Sequence, residues 1–142
     1  MYKTVLAPID LGQKDQAVVV AKTAAKFVDT GGGKLILLNV LPNIPAYIAA
    51  EIPEKIFSSG KQQASDDLGK IKVGLEASQK LETVILEGSV YSEIVNFAEE
   101  SNVDLIVMAS HRPELSDYLL GTTAARVVRH ANCSVFIIRD RN

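Results

Sequence analysis

Five short apolar runs, separated by segments of helical periodicity, constrain the fold more than any other feature of this sequence. The runs are rich in valine and isoleucine and are continuous rather than alternating, which is typical of strands buried on both faces of a parallel sheet. They occupy residues 4–9, 35–41, 83–86, 105–109 and 135–138. We therefore predict five parallel β-strands.

The segments between these runs carry apolar residues at helical spacing. The apolar positions of the first two helices are Ala17, Val20, Ala21, Ala24 and Val28, and then Ala64, Leu68, Ile71 and Leu75. Ser89 stands where the N-cap of a third helix belongs, and Thr122 and Thr123 open the last helix. Residues 42–53 contain three prolines and no clear periodicity, so we predict a loop over the crevice there.

This order of elements defines the fold class. Alternating strands and helices imply right-handed crossovers and an α/β fold, a doubly wound five-stranded parallel sheet with helices on both faces. In such sheets the ligand crevice lies at the carboxyl ends of the strands, where the winding direction switches. Asp10, Val40 and Ser110 follow or end predicted strands and are expected at that crevice.

Composition limits the remaining classes of protein. The 142 residues are 47% hydrophobic and 23% charged, which predicts one folded domain over residues 1–142. A net charge of −2 with scattered basic residues disfavours a nucleic-acid partner. Cys133 is the only cysteine, which favours a reducing, cytoplasmic location. No apolar stretch approaches the roughly 18 residues of a membrane span, so we expect no membrane partner.

The stretch of residues 108–131 carries the most specific chemistry. It predicts a strand, a polar loop and a helix that opens at Gly121, Thr122 and Thr123. A helix start offers unpaired N–H groups and the positive end of its dipole to an anion, which suits a phosphate chain. Threonine is also an ordinary N-cap and glycine an ordinary loop residue, so this pattern alone leaves a purely structural role open.

Several segments together resemble the universal stress protein family over the whole chain. They are residues 5–10, 37–40, 87–89, 119–124 and 128–131. The Ala-Ser-His-Arg-Pro sequence of residues 109–113 is similar to the enterobacterial F and G branch of that family. The resemblance implies an adenine nucleotide alpha hydrolase-like sheet with strand order 3-2-1-4-5.

The same resemblance implies an adenine-nucleotide site that holds ATP, with Mg²⁺ arriving on the phosphates. Asp10 corresponds to the family's nucleotide-contacting aspartate, and the backbone of Val40 corresponds to the group that meets the adenine edge. The full set of expected nucleotide contacts is Pro8, Ile9, Asp10, Val40, Ala109, Ser110, His111, Arg112, Gly121, Thr122 and Thr123.

The loop before Gly121 departs from the family pattern. Members that bind ATP carry a glycine, two residues, a second glycine, nine residues and then Gly-Ser or Gly-Thr. Here Ala109 and Arg112 occupy the two glycine positions, and eight residues separate Arg112 from Gly121. The Arg112 guanidinium is a candidate phosphate ligand in place of glycine backbone, with a solvated loop arginine as the alternative.

The last predicted strand resembles the family strand that pairs across a homodimer. The interface residues implied are Val135, Phe136, Ile137 and Ile138. An unpaired apolar edge strand is otherwise prone to aggregation, which agrees with this prediction. A further protein partner is expected, of unknown identity.

Three functions remain open from the sequence. The first is a homodimeric regulatory protein of the bacterial stress response that binds ATP. The second is a slow ATPase or nucleotidyl-transferring enzyme, although His111 has no triad partner and we predict no catalytic residue. The third is a scaffold that has lost the nucleotide. The two histidines and one cysteine lack the spacing of a zinc site, so no protein metal site is predicted.

Overall fold

The computed structural model of the protein describes residues 1–75, 79–110 and 121–139. Its five strands form one sheet in the order β3-β2-β1-β4-β5, and all neighbouring strands are parallel. The strands are β1 (Thr4–Pro8), β2 (Lys34–Pro42), β3 (Lys80–Gly88), β4 (Leu105–Ala109) and β5 (Ser134–Ile138). The predicted fold class and strand order are confirmed.

Helices cover both faces of the sheet. They are α1 (Lys14–Phe27), α2 (Ala46–Ala49), α3 (Glu54–Gly74), α4 (Val90–Glu100) and α5 (Thr122–His130). α1 and α3 contribute to the hydrophobic cluster on one face, whereas α4 and α5 contribute to the cluster on the other. Within the described ranges, no helix combines the length and the apolar character needed to cross a membrane.

Continuous apolar strands follow from this two-sided burial. Side chains alternate between the faces of a strand, so Val5 and Ala7 join the cluster under α1 while Leu6 joins the opposite cluster. In β2 every residue from 35 to 40 is buried. Burying each large aliphatic side chain contributes about 1.5–3 kcal/mol, which explains why the buried positions of β2 are apolar except for Asn39.

Two predicted segments differ from the structure by more than one residue at an end. The segment of residues 42–53 is not simply a loop, because it contains the four-residue helix α2 and ends at Pro53, the N-cap of α3. α2 buries none of its residues, so it has no hydrophobic periodicity to reveal it. β3 extends beyond residues 83–86 at both ends, since an edge strand accepts the charged residues Glu82 and Glu87 within its ladder.

Candidate functional site

A cleft of about 520 Å³ opens where β1, β2 and β4 end. Its position follows from the topology: β2 and β3 lie on one side of β1 and β4 and β5 on the other, so the winding direction switches at β1. The volume is in the range of small-molecule and cofactor sites, which is about 300–1,000 Å³. The topology therefore places a cleft of cofactor size at the carboxyl ends of the central strands.

Most of the residues predicted from the sequence meet in this cleft. Those that line it are Pro8, Ile9, Asp10, Val40, Ala109, Ser110, Gly121 and Thr123. Thr122 is exposed and does not line it. His111 and Arg112 lie outside the described residues, so their predicted contacts are not located.

The turn after β1 fixes Asp10 at the mouth of the cleft. The backbone N–H of Gly12 donates to Asp10 Oδ1 at 2.9 Å, and the N–H of Gln13 donates to the Asp10 carbonyl at 3.1 Å. This Asx-type turn engages one of the two carboxylate oxygens. Asp10 is exposed, so its carboxylate serves as a turn residue and also faces the cleft.

Asn39 is a cleft residue that the sequence analysis missed. Its side chain is buried, at 7% exposure, and its Nδ2 donates to the Ile9 carbonyl at 2.9 Å. Its Oδ1 is also buried and finds no hydrogen-bond partner among the residues that the structure describes. The available signal was the single polar residue inside the apolar run 35–41.

The start of α5 forms the opposite end of the cleft. Gly121 is the N-cap and is buried, and its N–H donates to the Ser110 carbonyl at 2.9 Å. This bond ties the helix start to the end of β4. The next N–H groups, those of Thr122, Thr123 and Ala124, have no intrahelical acceptor because they lie in the first turn. Thr123 and Ala124 line the cleft, so this end suits an anion.

α3 supplies a wall of the cleft that the sequence analysis assigned only to packing. Gly60, Gln63, Ala64 and Asp67 line it from one helical face. Gln63 Nε2 donates to Asp67 Oδ1 at 3.0 Å, which holds two polar side chains at this wall. These four residues have the spacing of one helical face, but because they are a mixture of polar and apolar types they do not form a recognisable pattern in the sequence.

Apolar residues line the cleft from the other face of the sheet. Val90 and Ile94 project from α4, and Met108 comes from β4. The turn into α4 requires Gly88, whose φ of +149° is one that other residues rarely adopt. A planar apolar group against the α4 side of the cleft would therefore contact hydrocarbon rather than water.

The described residues include no cluster of three or more histidine, cysteine, aspartate or glutamate side chains placed to hold a metal ion. The carboxylates that line the cleft are those of Asp10 and Asp67. The cleft is thus built from backbone donors at one end and buried and exposed acceptors at the other, with an apolar wall from α4 and β4 and a partly polar wall from α3.

Comparison with protein families covers nearly the whole chain. The sequence model of the universal stress protein family matches residues 1–139. The chain belongs to the universal stress protein family. The resemblance predicted from its motifs is confirmed.

Individual members of the family extend this result. Universal stress protein G of Escherichia coli O157:H7 is 30% identical, and the match covers 98% of this chain and all of that protein. The solved structure of protein MJ0577 of Methanocaldococcus jannaschii superposes with a TM-score of 0.85 at 28% identity, covering 100% and 99% of the two chains.

Two more distant structures share the fold and are complexes. A universal stress protein in complex with cAMP matches with a TM-score of 0.63 at 24% identity, over 97% of each chain. The universal stress protein of Archaeoglobus fulgidus in complex with dAMP matches with a TM-score of 0.65 at 20% identity, over 97% of this chain and 98% of that one.

Proposed function

We propose that this universal stress protein is a homodimeric regulatory protein that binds ATP in the cleft. The observation that carries the proposal is the juxtaposition of an unpaired helix start with oxygen acceptors of β1 and β2 in one cleft. Relatives of the same fold that are complexed with cAMP or dAMP support an adenine nucleotide as the ligand class. A cytoplasmic location stays a prediction from the single cysteine.

The strand order supports one orientation of the ligand. The phosphates bind at the start of α5 beside β4, where the first-turn N–H groups and the Thr123 hydroxyl serve as donors. The ribose lies over β1, where Asp10 accepts from a hydroxyl. The base then reaches β2, two strand spacings or roughly 10 Å from β4. Mg²⁺ arrives on the phosphates and keeps several of its own waters, so a protein cage is unnecessary.

The role of bound ATP in this proposal is regulatory. A nucleotide in the cleft contacts α5, the β1 turn and α3. α3 and α5 lie in the two helical layers on opposite faces of the sheet. A ligand that contacts both layers favours the conformation of the protein that binds it more tightly. The surface presented to a protein partner changes with that conformation.

The primary experiment is nucleotide analysis. The purified protein is denatured, the released nucleotide is identified by chromatography, and ATP is titrated into the nucleotide-depleted protein by calorimetry. We expect a released adenine nucleotide and saturable binding at one site per chain. No released nucleotide together with no heat of ATP binding would favour the scaffold function, and steady-state phosphate release would favour the enzyme.

Asp10→Ala is the variant for the nucleoside end. We expect ATP binding to weaken by about 1–3 kcal/mol, the usual cost of removing a charged hydrogen-bond partner. Asp29→Ala is the matched control, because Asp29 Oδ1 accepts from the Gly31 N–H at 3.0 Å in a similar turn but does not line the cleft. Equal loss in both variants would assign Asp10 to the turn alone.

Thr123→Val is the variant for the phosphate end. It should weaken ATP more than adenosine, because adenosine carries no phosphate to lose. Thr122→Val is the control, since Thr122 occupies the same helical turn but is exposed and outside the cleft. A larger effect in Thr122→Val than in Thr123→Val would contradict this placement of the phosphates.

A further inference from the structure

The amide of Asn39 has a defined orientation. Nδ2 donates to the carbonyl of Ile9, and exchanging the two ends of the amide would place two acceptor oxygens against each other. Oδ1 is therefore the end left without a partner among the described residues. A buried polar atom without a partner costs free energy, so it is uncommon in a native protein and points to a role.

Asn39 lies at the end of the cleft assigned to the base. It belongs to β2, which is two strands from the helix start at α5. Its side chain is on the same face of the sheet as Leu37, under α1 and α3. On this face Ala64 lines the cleft as an apolar residue, and the polar side chains of Gln63 and Asp67 are hydrogen-bonded to each other.

We propose that Asn39 is a specificity-determining residue that selects adenine through its amide oxygen. This inference rests on the proposed nucleotide site and adds the group that distinguishes one base from another. An oxygen accepts only, so it pairs with the 6-amino group of adenine. It repels the 6-oxo group that hypoxanthine and guanine carry at the same position.

Access to the oxygen requires a small adjustment. Oδ1 has less than 1 Å² of accessible surface, although other atoms of Asn39 line the cleft. The last side-chain torsion of asparagine has a broad energy well, and recognition of the base requires a turn about it that brings Oδ1 to the cleft wall. The gain from satisfying a buried acceptor favours this turn when a donor arrives.

The test compares ATP with inosine triphosphate, in which a 6-oxo group replaces the 6-amino group and N1 carries a hydrogen, while the sugar and phosphates are the same. Both are titrated by calorimetry into the unmodified protein and into Asn39→Leu, which has similar volume but no polar group. We expect the unmodified protein to prefer ATP by about tenfold or more, the equivalent of one buried hydrogen bond. In Asn39→Leu the ratio should fall towards one.

The ratio separates base recognition from support of the β1 turn. Loss of the bond to Ile9 weakens both nucleotides alike, whereas loss of the acceptor weakens ATP alone. Ser110→Ala, at the phosphate end of the cleft, should change both affinities by the same factor. Asn39→Ser repeats the measurement if Asn39→Leu does not fold.

The outcomes are distinct for the two proposals. Failure of both nucleotides to bind the unmodified protein contradicts the ATP function itself. Equal binding of both nucleotides to the unmodified protein overturns the role of Asn39 but leaves the nucleotide site standing. A preference for ATP that survives in Asn39→Leu and Asn39→Ser also overturns it, because the backbone would then select the base.

Discussion

The two edges of the sheet differ in chemistry although both are parallel strands at the end of the same ladder. β3 carries charge along its length, with Lys34 and Lys80 within 3.7 Å and 3.6 Å of Glu82 and with Lys61 2.9 Å from Glu87. β5 has no charged residue in its Ser134–Ile138 span.

The apolar edge is also partly open. Phe136 in β5 is 41% exposed, and its ring lies 4.8 Å from that of Phe27, between centroids. Val135, Ile137 and Ile138 are half-buried. β5 is therefore apolar on both faces: Phe136 and Ile138 lie on the α1 side of the sheet, and Val135 and Ile137 lie on the side of α4 and α5.

This difference shows what the charges on β3 do. Ion pairs this exposed contribute about 0.2–1 kcal/mol each, which is too little to explain their accumulation on one strand. Charged residues on an edge strand instead prevent it from pairing with another chain. β3 is protected against association in this way, whereas β5 is not, and we propose that β5 pairs with β5 of a second copy.

The largest expected effect is loss of the homodimer in Phe136→Asp. A carboxylate in the middle of an apolar interface would be buried without a partner, which is costly enough to prevent pairing. Light scattering at tens of micromolar should report a monomer for Phe136→Asp and a dimer for the unmodified protein.

Thr83→Asp is the matched control for that variant. Thr83 is an exposed residue of β3, so the same carboxylate is added to the other edge and the dimer should persist. A monomeric unmodified protein, or a dimer that Thr83→Asp dissociates and Phe136→Asp does not, would place the interface elsewhere.

An intermediate effect is expected when the charged edge is made apolar. The double variant Lys80→Val and Glu82→Val gives β3 an apolar strip like that of β5, so each dimer should acquire two new associating edges. Scattering intensity should then rise with protein concentration. The variant Lys80→Gln and Glu82→Gln removes the same charges without adding apolar surface, and little change in its scattering would assign the effect to exposed hydrocarbon.

The smallest expected effect concerns pH at the start of β5. Burial raises the pKa of the Cys133 thiol above its ordinary value, with an opposing backbone hydrogen bond and a further increase from Asp104. The unfolded chain therefore loses this proton at a lower pH than the folded chain, and stability falls as pH rises through the unfolded pKa. Below that pKa the thiol contributes no pH dependence.

The contribution of the Cys133 thiol to stability is measured by urea unfolding of the unmodified protein and of Cys133→Ala. Both proteins are unfolded at pH 7 and at mildly alkaline pH. The difference in unfolding free energy between the two proteins should become less favourable to the unmodified protein as pH increases. A difference that is constant with pH would show that the thiol titrates alike in the folded and unfolded chains.

Much of the fold could be predicted from residue patterns because a strand buried on both faces has a continuous run of apolar residues. The run 35–41 reads as a central strand since every position but Asn39 must be apolar, and Ala17 to Val28 shows one buried helical face. Weakly buried elements show no such pattern. The sequence pattern therefore does not predict α2, and it predicts β3 without its charged ends.

The cleft was predicted in part for the same reason. Residues at strand ends, such as Asp10 and Ser110, follow from the position of the strands alone. The orientation of a helix about its axis does not, because each residue turns by about 100° and neighbouring threonines face different directions. Only the packing of α5 decides that Thr123, and not Thr122, lines the cleft.

The sequence by itself thus determined the order of the elements, the apolar strands and the family motifs, which are local properties of the chain. The tertiary structure decided which distant residues meet: the wall that α3 contributes, and the buried amide of Asn39 bonded to Ile9, thirty residues earlier. Hydrogen bonds and cavity walls of this kind depend on strand register and helix orientation. Those are fixed by packing across the whole core, and no single segment of the sequence specifies them.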